Sequence, residues 1–175
     1  RKISSISKIK LMKIIALGSN IPFKNILPVK ILEETYTILK NYNINVVKKS
    51  HIYQSEAYPN KSDPPFYNSA LSIETKLQPH ELLKNIQDIE KAFGRERKEK
   101  NSPRTLDIDI ISFDDLIINQ KNLKIPHPSL HLRPFVLLPI RDLDMTWIHP
   151  VFYETIGEII DKFEPNELNK VKKIL

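Results

Sequence analysis

Glycine occurs only three times in this chain of 175 residues, at Gly18, Gly94 and Gly157. A P-loop and a dinucleotide-binding fingerprint each need several closely spaced glycines, so that backbone N–H groups can close on phosphate. Neither spacing is present. A chain of this kind that binds a nucleotide must therefore hold the phosphates with side chains and a metal ion.

The apolar pattern shows what the chain builds instead. Residues 13–18 (KIIALG) read as a largely buried strand that Gly18-Ser19-Asn20 ends. A helix follows over 28–40, opened by Pro28, with Leu32, Tyr36 and Leu39 on one face. Residues 44–54 read as a strand, with Ile44, Val46 and Ile52 in period two. A polar, proline-containing loop over 55–65 leads into a second alternating run at 66–75. There Tyr67, Ser69, Leu71 and Ile73 share one side, and Phe66, Asn68, Ala70 and Ser72 the other. The clearest helix spans 79–93, from Pro79 to just before Gly94, with Leu82, Leu83, Ile86 and Ile89 as its stripe. A charged loop over 95–103 precedes a strand at 105–113. A short strand near 116–118 and helices over 134–143, 153–163 and 166–173 complete the chain. This order predicts an α+β class, a ferredoxin-like β-α-β-β-α-β core with a helical C-terminal extension. Residues 13–175 are expected to form a single domain, with 1–12 an N-terminal extension or linker.

The length suffices to bury a core. No apolar run approaches the roughly 18 residues of a membrane span, and residues 1–13 lack the apolar stretch of a secretory signal. Cysteine is absent, which removes disulfides, thiolate metal sites and a cysteine nucleophile, and fits a cytoplasmic location. The net charge of +6 favours anionic partners, although much of such a lysine excess ordinarily forms a solvated surface.

The sharpest chemical feature is Pro103-Arg104-Thr105-Leu106-Asp107-Ile108-Asp109-Ile110. In a strand, Asp107 and Asp109 point to one side, with Leu106, Ile108 and Ile110 on the other. Two adjacent carboxylates on an apolar strand call for a cation between them. Mg²⁺ suits this, because it takes one or two carboxylates and completes its shell with water and phosphate oxygens. An exposed edge strand, or neutralisation by Arg104, would also satisfy the pattern. Arg95, Arg97 and Arg104 bracket a loop with Lys98 and Lys100, which reads equally as a phosphate-gripping segment or as a solvated loop. His127 and His131 lack the helix and the glutamate of a zinc motif. Phe66 and Asn68 share a face that suits a flat heterocycle, but core and edge roles explain them as well. By the same standard Gln87 and Glu90, three apart on their helix, read as surface polar residues.

Taken in order, Ala16-Leu17-Gly18-Ser19-Asn20, Phe66-Tyr67-Asn68-Ser69-Ala70, Gly94-Arg95-Glu96-Arg97, the segment 103–110 and Ile125-Pro126-His127 resemble the 6-hydroxymethyl-7,8-dihydropterin pyrophosphokinases of folate biosynthesis. The resemblance runs from about residue 13 to residue 135 and on toward residue 151. It implies transfer of pyrophosphate from ATP, as co-substrate, to the pterin hydroxymethyl group, with release of AMP. It implies two Mg²⁺ ions on Asp107 and Asp109, and catalytic roles for Arg95, Arg104 and His127. Gln87, Glu90, Arg97, Ile110, Lys124 and Arg133 would bind ATP; Ser55, Tyr58, Asn68 and Phe135 would bind the pterin. The chain departs from the family pattern at Asn101, Asn122 and Pro128. The expected partners are the small-molecule substrates, with no nucleic acid and no membrane, for a monomer. A nucleic-acid-binding module on the same core is the alternative. The positive charge supports it, and the lack of spaced stacking aromatics on the strands opposes it.

Overall fold

The computed structural model describes residues 10–96 and 102–175. Along these the chain forms β1 (Lys13–Ser19), α1 (Pro28–Ile38), β2 (Asn45–Lys49), β3 (Tyr53–Ser55), β4 (Phe66–Glu74), α2 (Pro79–Ala92) and β5 (Asp107–Phe113). It continues through β6 (Ile118–Asn119), β7 (Lys124–Ile125), α3 (Pro134–Leu143), α4 (Ile156–Ile160), α5 (Pro165–Leu168) and β8 (Lys172–Lys173). Six strands make one sheet in the order β5-β1-β4-β3-β8, with β2 beside β3 on the same edge of β4. The pairings are antiparallel, and β6 and β7 form a separate hairpin. The protein is thus a mixed α+β structure on an antiparallel sheet.

The sheet is covered on both faces, and the alternation of its strands explains how. Ile15 and Leu17 of β1, Leu71 and Ile73 of β4, and Ile108 and Ile110 of β5 pack with Ile31 and Leu32 of α1 and Leu82, Ile86 and Ile89 of α2. The opposite set, Ile14, Ala70 and Ile111, packs with Val136, Leu137 and Ile140 of α3, Ile156 and Ile159 of α4, and Trp147. Small residues such as Ala70 on this second face let α3 lie close to the sheet. Ile111 follows the alternation onto the second face, and the register shift opposite Ile14 and Ile15 then turns Phe113 onto the first.

Four local readings change. The strand expected over 44–54 is two strands, because the Ser50 side chain intervenes: its hydroxyl accepts from the Ala70 N–H while Ser50 N–H donates to Ala70 O. The helix after Pro28 tightens into a 3₁₀ turn at Leu39–Tyr42, which Asn43 ends in the left-handed region at φ 61°. Strand β7, too short to carry a periodic signal, was not foreseen. The tail is only partly helical: α4 and α5 are short, and β8 pairs with β3. There Ile174 N–H donates to Ile52 O and Ile52 N–H donates to Leu175 O, so the tail satisfies edge groups that a helix would leave open.

Candidate active site

Sheet register places the chemistry in one row. Gly18 of β1 lies opposite Asp107 of β5 on one side and Asn68 of β4 on the other. One step along β1, Ala16 lies opposite Asp109 and Ala70. The acidic strand and the amide-bearing strand are therefore separated only by a glycine and an alanine, which leaves a shallow floor between them. A Cβ at Gly18 would stand 3.2 Å from Asn68 Oδ1. The glycine keeps that floor clear of side chains.

At the acidic end, Asp107 is held from both sides. Arg104 Nη1 donates to its Oδ2 at 2.6 Å, and Arg95 Nη1 donates to its Oδ1. The same Arg95 nitrogen donates to Glu90 Oε1, which also accepts from Ile108 N–H at 2.8 Å. Glu90 is only 3% exposed, so the surface role its helical spacing allowed is corrected. The arginine neutralisation left open by the sequence is thus present at Asp107. Asp109 differs: His127 Nε2 stands 3.9 Å from its Oδ2. Burial, with Asp107 alongside, pushes its carboxyl up to about 7. Burial first, then the nearby Arg133, holds His127 down at about 4, so the ring is neutral at physiological pH. Ser129 N–H donates to His127 Nδ1 at 3.2 Å, which leaves the proton on Nε2, facing Asp109.

These groups line a cleft of about 330 Å³. Leu83 and Gln87 of α2 form one wall, and the 121–124 stretch with Lys121 and Lys124 forms another. Ile110, buried in the first core, reaches the cleft from below. A larger hollow of about 590 Å³, bounded by Tyr36, Val46 and Lys49, lies elsewhere and contains none of the paired carboxylates or arginines. The chemistry assigns the site to the smaller cleft. Among the described residues no group of three or more His, Cys, Asp or Glu side chains is arranged to hold a metal. Asp107 and Asp109 still fit a hard ion that draws most of its shell from phosphate and water.

At the other end of the row, Asn68 Nδ2 donates to Ser55 Oγ at 3.0 Å, and both residues are buried. The Arg104 guanidinium lies 5.5 Å from the Phe66 ring centre, so this arginine spans from the acidic strand to the aromatic floor. Phe135, at the start of α3, has Arg133 6.0 Å from its ring centre. Tyr58 is not brought in: its side chain is 80% exposed on the loop ahead of β4. Arg97 and Asn101 lie outside the described residues. One residue carried no assigned role in the sequence reading, although its motif was noted. Asn20, 2% exposed, accepts from Arg104 N–H at 2.8 Å and donates to Pro64 O at 3.0 Å. It ties the lead-in of β5 to the loop before β4, a link between distant segments that no local pattern reveals.

Residues 14–145 match the family model described as 7,8-dihydro-6-hydroxymethylpterin-pyrophosphokinase. The chain is 34% identical over 144 residues to the 2-amino-4-hydroxy-6-hydroxymethyldihydropteridine pyrophosphokinase of Aquifex aeolicus, covering 82% of this chain and 87% of that protein. It is 40% identical over 148 residues to the folic acid synthesis protein FOL1 of Dictyostelium discoideum, covering 83% of this chain but 21% of that protein. It likewise spans only 21% of the Pneumocystis carinii folic acid synthesis protein, at 34% identity over 92% of this chain. The HPPK-DHPS crystal structure of Plasmodium falciparum superposes with a TM-score of 0.74 at 17% identity, over 94% of this chain and 48% of that one, and so shares the fold. With its matched segment running from the first strand through the acidic strand to the helix behind the cleft, the chain belongs to the 7,8-dihydro-6-hydroxymethylpterin-pyrophosphokinase family.

Proposed function

We propose that this chain transfers the terminal pyrophosphoryl group of ATP to the hydroxymethyl oxygen of 6-hydroxymethyl-7,8-dihydropterin, releasing AMP, as a step of folate biosynthesis. The observation that carries this reading is the row Asp107–Gly18–Asn68, which sets a cation-seeking carboxylate pair beside a buried amide across a floor with no side chain. A triphosphate on the acidic side and a flat heterocycle on the amide side would meet over that floor.

In this reading Asp107 and Asp109 hold two Mg²⁺ ions, which when bound neutralise the triphosphate and polarise its phosphorus. Arg95 and Arg104 exchange the Asp107 carboxylate for phosphate oxygens, to which guanidinium N–H pairs are well matched. His127, neutral and protonated on Nε2, donates toward the oxygen that leaves with AMP. Gln87, Lys124, Ile110 and Arg133 serve the nucleotide, with Glu90 on the same side and Arg97 from the adjoining loop. Asn68 reads the pterin edge, Phe135 stacks on the ring, and Ser55 holds the Asn68 amide in place. Tyr58 would have to turn inward with its loop to join them. In bond terms, the hydroxymethyl oxygen attacks the β-phosphorus, the bridge to the α-phosphate breaks, and the hydroxyl proton is released.

The element order, with β5, β1, β4 and then β2 or β3 side by side, supports reading the core as ferredoxin-like. No helix of the described residues is long and apolar enough to cross a membrane. A cytoplasmic monomer acting on small molecules is the corresponding proposal. The test is nucleotide analysis after incubation with ATP, with pterin and Mg²⁺ each added or omitted. AMP should form only when both are present; ADP as the product would overturn the reading. Asp107→Ala or Asp109→Ala should abolish AMP formation with the circular dichroism spectrum unchanged.

A further inference from the structure

Glu90 sits in the last turn of α2, on the cleft, with its carboxylate turned to an arginine. Its Oε1 accepts from Ile108 N–H, on the strand between Asp107 and Asp109, and from Arg95 Nη1. Its backbone carbonyl accepts from Arg95 N–H at 3.1 Å. That second bond exists because Gly94 turns the chain back at φ 71° just past the helix. Arg95 is therefore fastened at both its backbone and its guanidinium by one residue that is 3% exposed. The spacing of five residues lies outside the ordinary helical pairs, so only the turn at Gly94 brings the two side chains together.

We infer that Glu90 is a positioning residue for Arg95, fixing its guanidinium against the acidic strand and retaining it when Asp107 gives up the arginine to a cation. The inference rests on the proposed phosphate-holding role of Arg95. Without a second anchor, an arginine released by Asp107 would regain its rotamer freedom and lose its aim at the cleft. The shared oxygen also makes the placement exact, since the same atom that holds the guanidinium holds the backbone between the two aspartates. The negative charge serves Arg95 rather than the nucleotide, whose phosphates it would repel.

The test is a cycle of Glu90→Gln, Arg95→Ala and the double variant in the full chain, with AMP formation and thermal unfolding measured for each and the ¹⁵N–¹H signal of the Arg95 guanidinium for the wild type and Glu90→Gln. Glu90→Gln keeps the shape and the acceptor for Ile108 N–H but removes the charge. It should lower kcat about tenfold or more in the Arg95 background, and by less than about twofold once Arg95 is already alanine. With Mg²⁺ added to draw Asp107 away from Arg95, the restrained guanidinium signal of the wild type should persist, and that of Glu90→Gln should collapse to the signal of a freely rotating arginine. Glu90→Asp, which keeps the charge but shortens the reach, should lose the same restraint. Equal losses with and without Arg95, or a restrained Arg95 signal in Glu90→Gln with Mg²⁺ present, would overturn the inference. If the wild-type chain makes no AMP, the functional reading fails on its own, and the guanidinium signal still decides the positioning role.

Discussion

At the scale of single residues, the site depends on what is missing as much as on what is present. Gly18 is extended strand, so its value lies in space and not in backbone freedom. Gly18→Ala would put a methyl group 3.2 Å from Asn68 Oδ1 and push the amide off its aim. The expected result is a rise in KM for the pterin of about tenfold, the effect of roughly 1.4 kcal/mol, with KM for ATP little changed; steady-state kinetics with each substrate varied will show it. Thr105 presents the opposite case. Its hydroxyl is buried and, among the described residues, has no hydrogen-bond partner. Thr105→Val keeps the shape and removes that unmet group, so its melting temperature should equal or exceed that of the wild type. Asp107 and Asp109 were legible in the sequence because strand alternation alone puts them on one face. The inward turn of Glu90, which only the resemblance placed at the site, and the link made by Asn20 were not. A helix period places Glu90 on a polar face, and nothing local shows that Ile108 N–H and Arg95 will come to meet it.

At the scale of elements, α2 and β5 meet at the site through Glu90, Arg95 and Asp107. The helix ends at Gly94, where a Cβ would stand 2.3 Å from the Phe23 ring, and φ is 71°. Gly94→Ala meets both the left-handed penalty and that ring. It should cost about 1–3 kcal/mol, the range for a residue forced into a sparsely populated backbone region, read from chemical denaturation. It should also lower activity beyond the loss of fold, because Arg95 starts at this turn. Pro79 and Gly94 marked the ends of α2 in the sequence, and the structure places the helix between them. Periodicity was less informative for the tail. Residues 166–173 have helical spacing, yet Lys172 and Lys173 pair with β3 because that edge has ladder groups to satisfy. Such a demand belongs to the neighbour, and the segment's own pattern does not contain it.

At the scale of the whole molecule, the second core joins the sheet to the segment that carries His127 and Arg133. Trp147, 1% exposed, packs there with Ile14, Ile111 and α3. Trp147→Ala should cost about 3–5 kcal/mol by the usual range for a buried aromatic, measurable in urea. His149 lies next to it, 2% exposed, stacked on Phe152 at 4.3 Å with its Nδ1 accepting from Val151 N–H and Phe152 N–H. Burial first, then the neighbouring His131, holds its ring down at about 4. The unfolded chain therefore binds this proton at a higher pH than the folded one, near the ordinary value of about 6.5. Stability from this group is unaffected above that value and falls as pH drops from about 6.5 to about 4. Because His127 and Asp109 titrate in the same range, the decline is read as the difference in melting temperature between wild type and His149→Asn, which should shift against the wild type as pH falls through that window.

The sequence by itself determined the strand-helix-strand-strand-helix-strand order from β1 to β5 apart from the break between β2 and β3, the acidic strand and the exclusion of glycine-loop phosphate binding, because these rest on local spacing and composition. Glycine scarcity leaves the holding of phosphate to side chains, and the arginines around Asp107 are the ones proposed for it. Only the tertiary structure decided that Gly18 stands between Asp107 and Asn68, that Glu90 turns inward to Arg95, and that the tail closes an open sheet edge. Register and burial are properties of pairs of segments far apart in the chain, and no window along a single segment holds them.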